Sequence, residues 1–275
     1  MEKCQSTSLY HQVAMPYRRA RGLLPFVALY SLGLLAHSRL SAAPKTFYMD
    51  EGTHYSDISM CQNHDLNTVT ESLAAEMRSN GWSGSRFVND LAWPQDYRDK
   101  TLDPDGLDNV FGDNATVTVY AGHGNAGLIT FRPRLNACTA NAGSNMALGS
   151  GSTGGLATIG IWLSCDMFNT GLLDESDSLY RRMNLRQSLG WLNTIDIDDD
   201  EPRDFFRKSE RMSNKDAWLD QMQGDGRQPM VLTATTANNA STCWFFHGRE
   251  SLGQGVVDTL DGSWGYRCWE WIEYD

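Results

Sequence analysis

The amino-acid sequence predicts an α/β fold with a mainly parallel central β-sheet. Several apolar segments lack the alternation of polar residues that marks half-exposed strands, and this is typical of strands buried on both faces. Segments with apolar residues at helical spacing lie between these strands. The composition agrees, because 275 residues with 41% hydrophobic content, 25 Gly and 8 Pro provide one sizeable core and exclude collagen-like or disordered chains.

The first half of the predicted domain contains three strands and one helix. They are strand 45–49, helix 66–79, strand 86–90 and strand 115–121. Apolar residues at helical spacing predict the helix, with Asp65 as its N-cap and Asn80-Gly81 at its end. The strand that ends at Ala121 is rich in β-branched residues and apolar enough to be central. The segment between the second and third strands is turn-rich and acidic, so we expect a loop there with one helical turn.

The second half contains the remaining predicted elements. They are a hairpin arm at 127–131, a surface loop over 136–155, strand 156–165, helix 176–185, strand 188–195, a helical region over 201–222 interrupted near Ser213-Asn214, strand 230–234 and a final edge strand over 266–274. The run from Leu156 to Cys165 is the most continuously apolar of these segments, so it predicts a second central strand. Residues 43–275 are therefore expected to form one domain, with the final strand as an extension.

The first 42 residues are predicted to be a secretory signal peptide. Arginines at positions 18, 19 and 21 precede 17 residues without Asp, Glu, Lys or Arg, and small residues follow near Ala42. The apolar segment is shorter than the about 20 residues of a membrane-spanning helix, so we expect cleavage near Ala42 and no stable membrane anchor. Initiation at Met15 would give a signal of the usual length, and we hypothesise that Met15 is the true start.

The predicted export and the net charge limit the classes of molecule that this protein could bind. An exported bacterial chain would be secreted or periplasmic. The formal net charge is −11, and removal of the first 42 residues, which carry five basic residues and one acidic residue, makes it −15. This acidic balance argues against nucleic acid, which needs clustered Lys and Arg, and favours cationic partners.

The cysteines predict disulfides and one leftover thiol. Five cysteines follow the signal peptide, at Cys61, Cys138, Cys165, Cys243 and Cys268. An oxidising compartment favours pairing, but five cysteines cannot all pair within one chain. Cys165 stands apart because it ends an apolar strand, although it could also be a small buried core residue. The pairing of Cys61 with Cys138 and of Cys243 with Cys268 is one of three possibilities for the other four.

An imidazole and a thiol follow the two predicted central strands. His123 comes directly after the strand that ends at Ala121, and Cys165 ends the second central strand. In an open parallel sheet the carboxyl ends of neighbouring strands meet at one edge, so we expect both side chains at the same rim. A nearby imidazole activates a thiol as a nucleophile and can then protonate a leaving amine. Gly124 has no side chain, so its N–H could approach a developing oxyanion together with the Cys165 N–H.

These two motifs, Tyr120-Ala-Gly-His-Gly124 and Leu163-Ser-Cys-Asp166, resemble those of the caspase-like (clan CD) cysteine peptidases. His123 and Cys165 are 42 residues apart, and the pattern is most similar to secreted bacterial caspase-like domains of uncharacterised function. The resemblance covers residues 45–240 and implies a three-layer α/β/α caspase-haemoglobinase-like fold. It further implies that His123 is the general base, Cys165 the nucleophile, and Gly124 and Cys165 the oxyanion hole. The caspase and legumain specificity motifs are absent, so neither specificity is implied.

The sequence therefore predicts an exported cysteine endopeptidase that acts on a peptide or protein without a required cofactor. The alternative is a catalytically silent relative that serves as a secreted binding or self-processing module. The acidic chain favours substrates with Arg or Lys at the cleavage site. No H-E-x-x-H or G-x-S-x-G motif is present, which argues against a metal or serine hydrolase.

Four further features are weighed as site candidates. His54 could line the crevice beside the first strand, and Asp166 could do so next to the thiol, where its charge would oppose thiolate formation. His247-Gly248 repeats the His-Gly pair and offers an alternative histidine. The acidic run over 196–201 could bind Ca²⁺, but it lacks calcium-loop spacing, and acidic residues before a helix ordinarily complement its dipole.

Overall fold

The computed structural model describes residues 44–55, 66–134, 137–149, 155–168, 183–193, 195–224, 226–253 and 265–272. Its strands are β1 (Thr46–Glu51), β2 (Ser83–Val88), β3 (Val117–Ala121), β4 (Gly124–Asn125), β5 (Leu128–Arg134), β6 (Ala137–Asn141), β7 (Leu148–Gly149), β8 (Ile159–Leu163), β9 (Met183–Asn184), β10 (Gln187–Trp191), β11 (Pro229–Thr235) and β12 (Tyr266–Trp271). Its helices are α1 (Glu71–Ser79), α2 (Asp200–Ser209), α3 (Asn214–Met222) and α4 (Ala240–His247), with short 3₁₀ helices at Asn89–Leu91 and Pro94–Tyr97.

Seven of these strands form one mixed sheet in the order β2-β1-β3-β8-β10-β11-β12. The five strands from β2 to β10 are mutually parallel, and β11 and β12 each run antiparallel to the preceding neighbour. Every residue of β3 and of β8 is buried, as their continuously apolar sequences predict. The predicted α/β class with a mainly parallel sheet is therefore confirmed.

One face of the main sheet, which we call the helix face, is covered by α1, α2 and α3. Its core contains a large apolar cluster. Trp218 of α3 packs against Trp191 of β10 and Phe205 of α2, with ring centroids 4.7 and 5.1 Å away. The predicted interruption of the long helical region is also present, since Ser213 accepts a hydrogen bond from the Asp216 N–H and starts α3 as a separate helix.

The opposite face, which we call the tyrosine face, is covered differently. The antiparallel sheet β4-β5-β6 and the second 3₁₀ helix pack over it and enclose many aromatic rings. Tyr97 contacts Tyr120, Phe131 and Trp162, with centroid distances between 5.8 and 6.3 Å. Among the elements that the structure describes, this face is covered by strands and loops rather than by the second helical layer that the resemblance implies.

Helix α1 begins later than predicted. The sequence predicts a start after Asp65, whereas the helix begins at Glu71 with Thr70 as its N-cap. The reason lies in β1, because the Glu51 carboxylate accepts hydrogen bonds from the Val69 N–H and the Thr70 hydroxyl. This buried anchor fixes the chain just before the helix. Asp65 lies outside the described residues.

Several other boundaries differ from the predictions. Strand β2 begins at Ser83 and ends at Val88, rather than spanning 86–90, because it pairs along the whole of β1. The predicted loop over 136–155 contains β6 and β7, whose backbone groups pair with β5 and β9. Residues 183 and 184 form β9 and are not helical as predicted, while residues 176–182 of that predicted helix lie outside the described residues. Helix α4 was not predicted.

Membrane-spanning helices were sought among the described residues only. Within those ranges, every helix is too short or too polar to cross a bilayer. The predicted signal peptide lies outside the described residues.

Candidate active site

The structure places the ends of β3 and β8 side by side. The two strands are parallel neighbours, with Ala121 opposite Leu163. His123 and Cys165 each follow the paired residue of their strand by two positions. The segments beyond the strands stay together, because Gly122 N donates to Leu163 O at 3.1 Å and Ala126 N donates to Asp166 O at 2.6 Å. The rim predicted to carry the imidazole and the thiol is thus built from two adjoining strand ends.

Gly124 is the point of closest approach between these two segments. A Cβ atom at Gly124 would lie 2.7 Å from Ser164 Oγ, 2.8 Å from Ser164 Cβ and 3.2 Å from Cys165 O. Any larger side chain would therefore push the two strand ends apart. The position needs glycine for space between these segments, whereas the sequence singles out Gly124 for the access of its N–H to an oxyanion, which stays a prediction.

Cys165 is a free, partly buried cysteine. Its Sγ lies 3.8 Å from the carbonyl oxygen of Ile195, the distance of a weak sulfur hydrogen bond. Burial raises the pKa of the thiol above its ordinary value, and the charges of Asp166 and Asp196 raise it further. In the ligand-free protein this environment favours the protonated thiol over the reactive thiolate.

The Cys165 backbone N–H lies in the segment that follows β8. Among the described residues, no other residue accepts a hydrogen bond from it, and it interacts with its own Sγ. Beside it lies the buried Ser164 hydroxyl, which finds no hydrogen-bond partner within the described ranges. These groups belong to the segment where the resemblance expects an oxyanion to form.

His123 rests on a pair of tyrosines. The ring of Tyr55 lies 4.8 Å from the imidazole between centroids, tilted by 54°. The Tyr120 hydroxyl lies 3.0 Å from the His123 carbonyl oxygen, which also accepts from the Thr130 N–H at 3.0 Å. The sequence pointed to the histidine but to neither tyrosine as a site residue.

The predicted crevice-lining residues flank this rim. Asp166 is partly buried and has a left-handed backbone, with φ of 47°, and its N–H donates to Asn193 O at 3.1 Å. His54 is exposed, and its backbone N–H donates to Asn89 Oδ1 at 2.9 Å. Both residues therefore lie in segments whose backbone is fixed by neighbouring loops.

The acidic run before α2 is engaged by cations and N–H groups. Asp200 pairs with Arg203, Glu201 pairs with Arg227, and Asp199 accepts from the N–H of a residue in α1. Within the described ranges, no group of three or more His, Cys, Asp or Glu residues has the arrangement of a metal site. The run acts as the charged start of a helix, and its calcium alternative gains no geometric support.

The alternative histidine, His247, lies in a different environment. It is buried under β11, where its Nδ1 lies 2.8 Å from Thr233 Oγ1. Burial and the nearby Lys215 ammonium lower its pKa to about 4. It belongs to α4, which packs against the antiparallel end of the sheet, so this histidine serves the packing of α4.

The disulfides leave Cys165 as the unpaired cysteine of the described chain. Cys243 and Cys268 are joined, which fastens α4 to β12, and Cys138 is also disulfide-bonded. Cys61 lies outside the described residues. A disulfide of this kind is consistent with an extracellular or periplasmic protein.

Together, the fold and the rim define a mixed α/β protein that carries a histidine and a free cysteine at adjoining strand ends. Residues 51–271 match the family described as domain of unknown function DUF6345, so the chain belongs to that family. No curated protein matches the chain. The family description assigns no activity, so the chemistry must be argued from the rim itself.

Proposed function

We propose that this protein is an exported cysteine peptidase that uses Cys165 as nucleophile and His123 as general base. One observation carries the proposal: the close approach of Gly124 to Ser164 and Cys165, which brings the segment of the imidazole against the segment of the thiol. The free state of Cys165 supports it, because a thiol locked in a disulfide could not attack a carbonyl.

We also propose a caspase-like relationship for the fold. The mainly parallel sheet supports this relationship, as do a His-Gly and a Ser-Cys sequence at the ends of two adjacent strands. The helix face corresponds to one outer layer of the implied three-layer arrangement.

The proposed reaction has two steps. His123 accepts the thiol proton while Cys165 Sγ bonds to the carbonyl carbon of the scissile peptide, and the carbonyl oxygen takes the negative charge. The N–H groups of Gly124 and Cys165 stabilise this oxyanion. His123 then gives its proton to the leaving amine, the C–N bond breaks, and a thioester remains. Water, deprotonated by His123, then bonds to the thioester carbon, the C–S bond breaks, the carboxylic acid leaves, and His123 returns its proton to Cys165 Sγ.

The charge around the thiol supports a preference for Arg or Lys in the substrate. Asp166 and Asp196 both act on Cys165, and their negative charges disfavour the thiolate until a cation enters. A basic substrate side chain beside them would bind through charge-assisted contacts and would also lower the pKa of the thiol. The substrate would thereby help to activate its own nucleophile.

The raised pKa of Cys165 also favours a second candidate, the catalytically silent module. In this alternative the thiol stays protonated and its reactivity does not depend on His123. The rim would then bind a peptide without cleaving it. The peptidase requires that His123 increase the reactivity of the Cys165 thiol, whereas the silent module does not, so one experiment distinguishes the two candidates.

The test compares wild type, Cys165→Ala and His123→Ala, with His54→Ala as the matched control for an exposed histidine near the first strand. Peptide cleavage is measured on a positional library, and Cys165 alkylation by iodoacetamide is followed by mass spectrometry against pH. We expect cleavage after Arg or Lys that both active-site variants abolish and His54→Ala retains. We also expect His123→Ala to slow alkylation by at least about tenfold near neutral pH.

Two results would contradict the proposal. Alkylation rates that are equal in wild type and His123→Ala, without cleavage of any library peptide, would favour the silent module. Cleavage with a preference for neutral residues would contradict only the proposed preference for Arg or Lys. Asp196→Asn provides a second check of that preference, since it should weaken a preference for Arg severalfold.

A further inference from the structure

We propose that Tyr55 and Tyr120 are positioning residues that hold the His123 imidazole in place, one by packing against its ring and the other by binding its backbone. This inference rests on the proposed function, because it concerns the geometry of the proposed base. Both tyrosines are fully buried at the rim of the tyrosine face.

The Tyr55 and Tyr120 hydroxyls both lie near the carbonyl oxygen of Thr130, and Tyr120 is also near that of His123. Tyr55 donates to Thr130 O at 2.8 Å, and the Tyr120 hydroxyl also lies within hydrogen-bond distance of that oxygen. A tyrosine hydroxyl has one proton to donate. Tyr120 Oη lies 3.0 Å from the His123 carbonyl oxygen and within hydrogen-bond distance of Thr130 O, so the Tyr120 proton is shared between these two acceptors. The Thr130 N–H in turn donates to Tyr120 Oη at 3.2 Å.

The two hydroxyls remain neutral donors at physiological pH. Burial raises the pKa of Tyr55 to about 12, despite hydrogen bonds from Tyr120 and from the His123 backbone that lower it. Burial also raises the pKa of Tyr120 above its ordinary value. The His123 turn is therefore held by groups whose charge does not change over the pH range in which the imidazole titrates.

Gly122, which directly precedes His123, leaves space for the hydroxyls of Tyr55 and Tyr120. A Cβ atom at Gly122 would lie 2.4 Å from Tyr120 Oη and 2.7 Å from Tyr55 Oη, and the residue has φ of 153°. Gly122 thus leads β3 directly over the tyrosine pair and into His123. The local sequence is consistent with a turn that is built around two fixed hydroxyl groups.

Fixing the imidazole matters because proton transfer depends steeply on geometry. A misplacement of about 1 Å in a catalytic group can lower a rate by about 100-fold. We therefore expect Tyr55→Leu, which removes the ring under the imidazole, to lower kcat by about 10- to 100-fold with little change in KM. Tyr55→Phe keeps the ring and should retain most of the activity.

The test reads the imidazole itself as well as activity. In protein labelled with ¹³C at histidine Cε1, the His123 signal is assigned by its loss in His123→Ala and is titrated by NMR. We expect Tyr55→Leu and Tyr120→Phe to shift this signal and its titration midpoint. The matched control is Tyr97→Phe, another buried tyrosine of the same face, whose hydroxyl donates to Val119 O at 2.6 Å and which should leave the signal unchanged.

The outcomes separate this inference from the proposed function. An unchanged His123 signal in folded Tyr55→Leu and Tyr120→Phe overturns the positioning role, whatever the peptidase assay shows. A shifted signal supports the role even if His123→Ala leaves Cys165 alkylation unchanged, a result that would overturn the peptidase proposal alone. If Tyr55→Leu does not fold, Tyr120→Phe, which removes a single oxygen, decides the question.

Discussion

The two faces of the main sheet are buried by different means. The helix face is covered by α1 to α3 around a large apolar cluster, and it also buries polar groups such as Glu51, which accepts from the Val69 N–H, and Gln187, which accepts from Asn214 of α3. The tyrosine face also buries carboxyl groups and phenols, because Asp50, Asp96 and Tyr48 lie within it, with Tyr48 donating to Asp96 Oδ2 at 3.0 Å. Within the described ranges neither Asp50 oxygen has a hydrogen-bond partner, so of these groups the Tyr48–Asp96 pair supplies the directional contact.

This difference assigns different work to the two faces. Apolar burial on the helix face supplies stability that is non-directional and depends mainly on filled volume. The directional bonds of the tyrosine face instead fix orientations, and its rim carries His123. Variants should therefore separate the two contributions. Changes on the helix face should lower the stability of the protein. Changes on the tyrosine face should alter the positions of side chains or the pH dependence of stability.

The largest effect is expected on the helix face. Trp218→Ala removes a fully buried ring between Trp191 and Phe205, and it should lower the free energy of unfolding by about 3 to 5 kcal/mol. Urea denaturation followed by far-UV circular dichroism measures this change. Trp244→Ala in α4 is the matched control, because that ring is about half exposed and should cost less than about 1 kcal/mol. Equal losses in the two variants would contradict the comparison.

A smaller effect, through pH, is expected on the tyrosine face. Burial raises the pKa of Asp96 to about 6, and burial together with the neighbouring Asp96 charge raises the pKa of Asp50. The folded protein then binds more protons than the unfolded chain between pH about 4 and 6. Stability is therefore lost as pH rises through this window, by at most about 1.4 kcal/mol per pH unit for one proton.

Asp96→Asn tests this dependence, because asparagine mimics the neutral carboxyl. The stability of the variant relative to wild type should increase between pH about 4 and 6 and then level off. Asp105→Asn, at an exposed position, should show no such trend. A relative stability of Asp96→Asn that stays constant with pH would mean that folding does not raise the pKa of Asp96.

The elements that follow from local sequence patterns were the easier ones to predict. Strands β3 and β8 follow from continuous apolar runs, and the separation of α2 from α3 follows from the Ser213 cap. Each of these signals lies within about ten residues of sequence. The placement of His123 and Cys165 at strand ends follows from the same local patterns, together with the rule that parallel strands end at one edge.

Other features, on both faces of the sheet, depend on residue pairs that are distant in sequence. Tyr55 meets His123 from 68 positions away, and the start of α1 is set by Glu51, which lies 20 residues before Glu71. Strand β6 is composed of small and polar residues, and its strand conformation comes from pairing with β5. Helix α4 offered one local signal, since Asn239 caps it by accepting from the Thr242 N–H.

The smallest loss of unfolding free energy is expected when a single oxygen is removed on the tyrosine face, rather than a whole ring on the helix face. Tyr97→Phe keeps the aromatic contacts with Tyr120 and Phe131 and removes only the hydrogen bond to Val119 O. We expect a loss of about 1 kcal/mol in urea denaturation, the usual net contribution of one hydrogen bond. A loss as large as that of Trp218→Ala would mean that this hydroxyl is a main attachment of the second 3₁₀ helix to the main sheet, and the tyrosine face would then contribute as much to stability as the helix face.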